Sequence, residues 1–162
     1  MIVLAHVFLA GALAWAFLGL GPLNWLLGFI VLYPVIRLLG LFVAPLRVYA
    51  MRVEAGVVFV PWFAYKIVGA SWDVARIVLN PSKIVSPAVV QVHLKTRDKR
   101  LITLIACLVT LTPGTLALDY RGRALFIHVL DTSSVESVQA ALTEIEERVM
   151  AWVNPLGENY AS

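Results

Sequence analysis

The stretch IVLAHVFLAGALAWAFLGL at residues 2–20 decides the architecture of the N-terminal part of this chain. Its nineteen residues include no Asp, Glu, Lys or Arg. As an α-helix the stretch would measure about 28 Å, close to the hydrocarbon thickness of a bilayer. Turn-forming residues occupy positions 19–24, and a second apolar run extends from Leu23 to about Ala44. The sequence therefore predicts a two-helix transmembrane hairpin over residues 1–44.

The composition of the whole chain supports an association with lipid. Of its 162 residues, 60% are hydrophobic and 14% are charged, whereas about 25% of the residues of a soluble domain are charged. This composition disfavours an ordinary cytosolic globule and excludes a disordered chain. The excess of positive charge lies in residues 1–80, which hold five basic and two acidic side chains, while residues 81–162 hold eight of each.

The positions of the basic residues predict the orientation of the hairpin. The turn at 19–24 has no Lys or Arg, whereas the connection after the second helix contains Arg37, Arg47 and Arg52. Because Lys and Arg favour the cytoplasmic side of short loops, we expect the N-terminus and this connection to lie in the cytoplasm. We also expect Arg37 to reach the headgroup region by snorkelling. The positive charge thus reflects membrane topology, and no nucleic-acid partner is expected.

Residues 45–80 predict a cytoplasmic connection followed by a membrane-associated helix over 54–79. The first part of this helix is apolar, and its second part is amphipathic. The polar stripe of the second part consists of Lys66, Gly69, Asp73, Arg76 and Asn80. We favour an interfacial or partly inserted helix, with a third membrane span as the alternative. The polar stripe of this helix either contacts another subunit or faces solvent.

Residues 81–153 have the charge density of a soluble protein and predict a small cytoplasmic α+β domain, followed by a flexible tail at 154–162. Apolar residues alternate over 88–94, which is typical of a strand with one buried face. The complete pattern predicts the order β-α-β-β-α, a split βαβ arrangement with helices on the sheet.

Both helices of this domain have predicted N-caps. Thr96 or Asp98 is placed to cap a helix that ends near Leu111, before a Pro-Gly pair. Ser133 or Ser134 is placed to cap the last helix, which extends to about Val153, with a glutamate in the position of a capping box.

The two later strands predict a hairpin around Arg121 and Gly122. If Tyr120 pairs with Arg123, two apolar pairs fall on one face of the sheet, as a half-buried sheet requires. Those pairs are Leu118 with Leu125 and Leu116 with Ile127.

Residue types with catalytic or metal-binding chemistry are sparse in the sequence. His93, His128 and Asp131 have no further ligand at a useful spacing. Cys107 lies within an apolar helix and is expected to be buried and inert. We therefore predict a protein that is not an enzyme and has no catalytic, cofactor-binding or metal-binding residues.

Two motifs resemble a known family. The stretch LITLIACLVTLTPGTL at 101–116 contains the run T-L-T-P-G-T-L, and LFIHVLD at 125–131 follows it. Both are similar to the E subunit of multisubunit Mrp-type sodium/proton antiporters, also called Mnh or Pha. The layout of a membrane hairpin, a connecting helix and a small domain is similar across nearly the whole chain.

The resemblance implies a multi-pass subunit in the plasma membrane of a bacterium or archaeon. The complex would exchange cytoplasmic sodium, or another monovalent cation, for external protons. In that family the ion path is attributed to larger subunits, akin to the membrane arm of respiratory complex I, and small helical subunits accompany them. The E subunit would be an accessory piece for assembly or stability, and the resemblance implies no catalytic residues.

Candidate contacts to partner subunits or to membrane lipids come from small residues in the first helix and from charged residues further along the chain. They are Ala10, Gly11, Ala14, Lys66, Asp73, Arg76, Lys95, Arg97, Lys99 and Arg100. The alternative function is a stand-alone, membrane-anchored module that binds lipid or protein, with the last four residues facing anionic lipid.

Overall fold

A computed structural model describes residues 1–17, 19, 21–80, 82, 84–131 and 135–156. The chain forms two compact units, unit 1 at residues 1–55 and unit 2 at residues 56–162. The boundary between them falls within one long helix. Apolar helices followed by a small α+β domain are thus confirmed.

Two apolar helices, α1 (Ile2–Phe17) and α2 (Pro22–Leu39), pack against each other in unit 1. Small residues permit their close approach. A Cβ atom on Gly28 would lie 2.5 Å from the backbone oxygen of Ala10. A Cβ atom on Gly11 would lie 2.6 Å from the Trp25 ring. Ala10, Gly11 and Ala14 are all buried in this contact.

The third helix, α3 (Ala44–Leu79), is longer than the sequence predicted. It has 36 residues and continues through Pro61, whereas we expected a helix over 54–79. The turn between α2 and α3 is correspondingly short, because the expected connection after residue 44 is itself helical. By length and composition α2 and α3 could each cross a membrane, and α1 is a shorter apolar helix.

Three antiparallel strands and two helices complete unit 2. The elements are β1 (Ala88–His93), α4 (Lys99–Leu111), β2 (Thr115–Arg121), β3 (Ala124–Val129) and α5 (Val135–Val153). The strand order β1-β3-β2 places β3 in the centre, so β1 and β2 both run antiparallel to it. The inward faces of the strands and the apolar stripes of α4 and α5 form one buried core.

The predicted register of the β2–β3 hairpin is wrong by two residues next to the turn and by one residue beyond the bulge. Tyr120 pairs with Leu125 and Ala117 pairs with Ile127, while Leu118 is left out of the ladder in a bulge. The turn consists of Gly122 and Arg123, both with positive φ, as a type I′ turn requires. The bulge inserts one extra residue, which turns Leu118 outward and keeps the inward side of β3 unchanged.

The start of α4 confirms a predicted cap, while one residue in the same helix contradicts its prediction. The Asp98 side chain accepts a hydrogen bond from the backbone N–H of Arg100 at 2.8 Å, the geometry of an N-cap. Cys107 is exposed rather than buried, because it lies opposite the stripe of α4 that enters the core. The predicted caps of α5, Ser133 and Ser134, lie outside the described residues.

Substitution of Gly28 by Ala tests the close approach of α1 and α2. The new methyl group would collide with a backbone oxygen, which cannot rotate away, so we expect a destabilisation of about 1–3 kcal/mol. Gly69→Ala is the matched control, since nothing lies within 4 Å of its Cβ position and alanine favours a helix over glycine. Thermal unfolding of both purified variants in detergent measures the difference. Equal midpoints for the two variants would contradict the packing described.

Candidate functional site

A buried histidine joins the three helices of unit 1. His6 is 1% exposed, and its ring stacks on Phe29 with a centroid distance of 3.8 Å. Its Nε2 lies 3.1 Å from the backbone oxygen of Phe29, and its Nδ1 lies 2.8 Å from the Tyr49 hydroxyl. Because a carbonyl oxygen can only accept, Nε2 donates to it; in a neutral imidazole Nδ1 then accepts from the tyrosine hydroxyl.

A second polar cluster in unit 1 joins α2 to α3. Arg37 Nε donates to Glu54 Oε1 at 2.7 Å, and the Tyr33 hydroxyl donates to the same oxygen at 2.8 Å. This ion pair balances the charge of Arg37 inside unit 1, and the snorkelling of Arg37 to the headgroup region stays a prediction.

In unit 2, α3 and α5 meet along a surface that we call the α3–α5 seam. Its polar part consists of Lys66, Glu144, Arg148 and the ring of Trp62. Lys66 Nζ lies 3.0 Å from Glu144 Oε2, and Arg148 Nη2 lies 3.2 Å from Glu144 Oε1. The Arg148 guanidinium lies 4.2 Å from the centroid of the Trp62 ring, within the range of a cation–π contact.

The apolar part of the α3–α5 seam is aromatic. Phe59 and Phe63 are buried in the domain core and stack on each other with centroids 5.6 Å apart. Trp152 of α5 stacks on Phe59 at 5.3 Å. The absence of a side chain at Gly56 makes room for it, since a Cβ atom there would lie 2.9 Å from the indole nitrogen. The second half of α3 is therefore an integral part of the α+β domain.

A cavity of about 310 Å³ lies between α3, the α4–β2 turn, the end of β3 and α5. Its walls are mainly aliphatic, with Asp73 of α3 and Asp131 after β3 among the lining residues. The run T-P-G-T at 112–115 forms the turn at its edge, where the Thr115 hydroxyl donates to the backbone oxygens of Val109 and Thr112 at 2.7 and 2.9 Å. The motif at 101–116 and the motif at 125–131 thus both reach this cavity.

The structure separates the candidate contact residues from one another. Ala10, Gly11 and Ala14 are used inside the hairpin, so their close approach is to α2 of the same chain. Lys66 belongs to the α3–α5 seam and Asp73 to the cavity. The Arg76 guanidinium lies over the ring of Trp72, 5.3 Å from its centroid.

The four basic candidates of the small domain lie around the start of α4. Lys95 pairs with Glu147 at 2.6 Å, while Arg97, Lys99 and Arg100 are exposed. This position places them at the end of the sheet that also holds the Gly122–Arg123 turn, because Leu94 donates to the backbone oxygen of Arg123. The cavity lies at the other end of the sheet, where Thr115 and Ala88 pair with Val129.

Glu146 is 1% exposed and was not among the residues that the sequence singled out. Its carboxylate accepts a hydrogen bond from the backbone N–H of Thr96 at 2.8 Å and so fixes the segment between β1 and α4. A signal was available, because Glu146 follows Leu142 by four positions and precedes Val149 by three, which places it on the buried stripe of α5.

The described residues form no group of three His, Cys, Asp or Glu side chains that could hold a metal ion. His93 is exposed and His128 is half-buried on the outer face of the sheet.

Comparison with known proteins decides the family. The family described as Na+/H+ ion antiporter subunit, MnhE, matches residues 8–153. The chain belongs to this family. The E1 subunit of a Na+/H+ antiporter of Staphylococcus aureus is 32% identical to this MnhE-family member over 133 residues, which cover 78% of this chain and 82% of the relative. The E subunit of a Na+/H+ antiporter of Alkalihalophilus pseudofirmus is 30% identical over 104 residues, 63% of this chain and 66%, just under two thirds, of the relative.

Solved structures contain chains similar to this MnhE-family member. A chain of the membrane-bound sulfane sulfur reductase, an archaeal respiratory membrane complex, shares its fold, with a TM-score of 0.53 at 23% identity over 89% of this chain and 96% of that chain. A chain of the Mrp complex from Dietzia sp. DQ12-45-1b aligns with a TM-score of 0.46 at 24% identity over 60% of this chain and 94% of that chain.

Replacement of Glu144 by Gln tests the α3–α5 seam through pH. The hydrogen bond from Lys66, followed by the one from Arg148, holds the pKa of Glu144 below its ordinary value of 4.5. Its stabilisation is therefore complete above pH 4.5 and is lost as the pH falls through the lower pKa of the folded state. At pH 7 we expect the free energy of unfolding of the variant to be lower than that of the unaltered chain by up to about 1 kcal/mol, because the pair is partly solvated. Below pH 4.5 we expect this difference to be smaller.

Thermal unfolding of the full chain in detergent at pH 7 and pH 4 measures both effects. Glu147→Gln is the control, since its pair with Lys95 is more exposed than the Lys66–Glu144 pair. The seam would not contribute to stability if Glu144→Gln and the unaltered chain lost equal stability between the two pH values.

Proposed function

We propose that this chain is an accessory subunit of a multisubunit antiporter that exchanges sodium, or another monovalent cation, for protons. It supports the assembly and stability of the complex and does not conduct ions itself. Its partners are other antiporter subunits, both the larger ion-translocating ones and small helical ones, together with membrane lipids. Its location is the plasma membrane of a bacterium or archaeon.

The observation that carries this proposal is the distribution of polar and apolar side chains in unit 1. His6, Tyr33, Arg37, Tyr49 and Glu54 bind one another or backbone oxygens of the same unit. An ion carrier needs ionisable groups along an accessible path at membrane depth. These groups instead hold the helices of the chain together.

The outward surface of the same unit is strongly apolar. Large side chains of α1, α2 and the α2–α3 turn are more than half exposed, and they include Leu4, Phe8, Trp15, Ile30, Leu38 and Phe42. Such a surface requires lipid or other apolar helices as its neighbour. This supports a subunit that packs into a larger membrane assembly.

The proposed topology places the N-terminus and the α+β domain in the cytoplasm. The basic residues after α2 support the first placement. Phe59 and Phe63 support the second, because their burial in the domain core ties the second half of α3 to the soluble fold. That half of α3 then lies with the domain at the membrane surface rather than crossing the bilayer.

Gentle-detergent purification of the full tagged chain from its native host tests the assembly role. We expect larger membrane subunits to be recovered with it, since the apolar surface of unit 1 needs partners. We also expect the chain alone, reconstituted into liposomes, to leave sodium and proton gradients intact. Ionophore-treated liposomes serve as the positive control for gradient loss.

Two outcomes would overturn the assembly role. Recovery of this chain with no larger membrane subunit would favour the stand-alone module. Reproducible loss of the gradients by the pure chain, beyond that of a matched single-helix peptide, would show that it conducts ions itself.

Reporter fusions after residues 22, 48 and 90 test the proposed topology. We expect the fusion after 22 to report the external side and those after 48 and 90 the cytoplasm, because α3 lies with the cytoplasmic domain. Alkaline phosphatase and green fluorescent protein fusions at each site give opposite readouts. An external signal after residue 90, with a cytoplasmic signal after 48, would establish α3 as a third span.

A further inference from the structure

We propose that one end of unit 2 binds the headgroups of anionic phospholipids through a group of exposed cations. These cations come from the start of α4 and from the β2–β3 turn, and we call them the basic end. They are Arg97, Lys99, Arg100 and Arg123. The inference rests on the proposed function, which places the α+β domain at the membrane surface, and it specifies the lipid class and the residues of that contact.

The cations of the basic end form no ion pair with the residues that the structure describes. Each of the other described lysines and arginines of unit 2 contacts a carboxylate or an aromatic ring of the same unit. These are Lys66, Arg76, Lys95, Arg121 and Arg148. Among the described residues, the positive charge that unit 2 has available for an outside partner is therefore concentrated at the basic end.

The backbone holds the two parts of the basic end together. The backbone N–H of Leu94 donates to the backbone oxygen of Arg123 at 3.1 Å, and Arg97 follows Leu94 by three positions. Asp98 lies among the cations and accepts a hydrogen bond from the backbone N–H of Arg100. The four cations outnumber this carboxylate, so an anion that approaches the basic end meets a net positive charge.

Helix α5 shows at which end of unit 2 the basic end lies. Trp152 stacks on Phe59, close to Gly56, where unit 2 begins, whereas earlier residues of α5 line the cavity. Glu147, which pairs with Lys95, lies between these two regions of α5. The basic end therefore lies on the side of unit 2 at which the chain arrives from the apolar helices, and the cavity lies on the far side.

Aliphatic side chains are exposed at the same end of unit 2. Val57, Val58 and Val60 are each more than half exposed, although Phe59 between them is buried. A bilayer offers such side chains hydrocarbon and offers nearby cations the anionic headgroups of its cytoplasmic leaflet. An acidic protein surface would satisfy the cations but not the valines. These observations therefore favour a lipid surface as the partner of the basic end.

Fluorescence quenching in lipid nanodiscs tests this inference with the full chain. In a Cys107→Ser background, a fluorophore is attached at Thr103→Cys, which lies one turn after Lys99 on the exposed side of α4. Phosphatidylcholine with a nitroxide on its headgroup is the quencher. We expect stronger quenching when the discs also contain phosphatidylglycerol, because the anionic lipid attracts the basic end. The same fluorophore at Leu111→Cys, at the other end of α4, should respond less.

Single substitutions separate the cations of the basic end from the rest of the chain. Each of Arg97→Gln, Lys99→Gln and Arg100→Gln should lower the ratio of docked to undocked domain about fivefold in discs with phosphatidylglycerol, and added salt should have a similar effect. The control is Lys95→Gln combined with Glu147→Gln, which removes a neighbouring cation without changing the net charge and should leave the quenching unchanged. Thermal unfolding of each variant identifies any that is misfolded, and the comparison of lipids in the unaltered chain needs no variant.

The outcomes distinguish this inference from the proposed function. Equal quenching with and without phosphatidylglycerol would overturn the inference, as would quenching that all three substitutions leave unchanged. If the substitutions instead reduce the recovery of larger subunits while the lipid has no effect, the basic end binds an acidic protein surface, and only the assembly role stands. Recovery of the chain with no larger subunit would defeat the assembly role and leave the lipid contact intact.

Discussion

The burial of Phe59 and Phe63 in the core of the α+β domain is the interaction on which unit 2 depends. These side chains come from a helix that precedes the domain in sequence, yet they pack with the inward residues of the sheet and with Trp152 near the end of α5. A three-stranded sheet with two helices is small, and small domains bury a limited fraction of their apolar surface. The second half of α3 enlarges this core by two buried aromatic side chains.

This packing also places the polar groups of unit 2. Once the aromatic residues of α3 lie against α5, Lys66 is in reach of Glu144, and Asp73, two helical turns further, lines the cavity. The polar stripe that the sequence displays along α3 is therefore divided between two uses. One part holds the domain together, and the other part contributes charge to a cavity.

Local signals in the sequence predicted the elements well, while contacts between distant residues were outside their reach. The cap at Asp98 and the inward face of β1 follow from neighbours along the chain. The hairpin register was wrong because the turn lies at Gly122 and Arg123 rather than at Arg121 and Gly122, which shifts the neighbouring pairs by two residues. A bulge at Leu118, which leaves no mark in the alternation, then reduces the shift to one residue. The length of α3 was underestimated because Arg47 and Arg52 were interpreted as part of a connection rather than of a helix.

Contacts between residues that are distant in the sequence also limited the prediction of the candidate site. Lys66 and Glu144 form an ion pair although they lie far apart in the sequence, and no pattern along the chain predicts that pair. Small residues in α1 were assigned to contacts with partner subunits or the membrane surface, whereas Ala10 and Gly11 approach α2 of the same chain closely. The burial of Glu146 could have been predicted from the helical periodicity of α5, since Glu146 lies on the apolar stripe of that helix.

The bonding of His6 has a consequence for biosynthesis. Both partners of its imidazole lie downstream, at Phe29 and Tyr49, so they are translated after α1. An unsatisfied imidazole is costly in hydrocarbon, and it finds its hydrogen bonds only when α2 and the first turns of α3 have been made. The hydrogen bonds of His6 therefore form only after α2 and the start of α3 have been synthesised, although α1 is synthesised first.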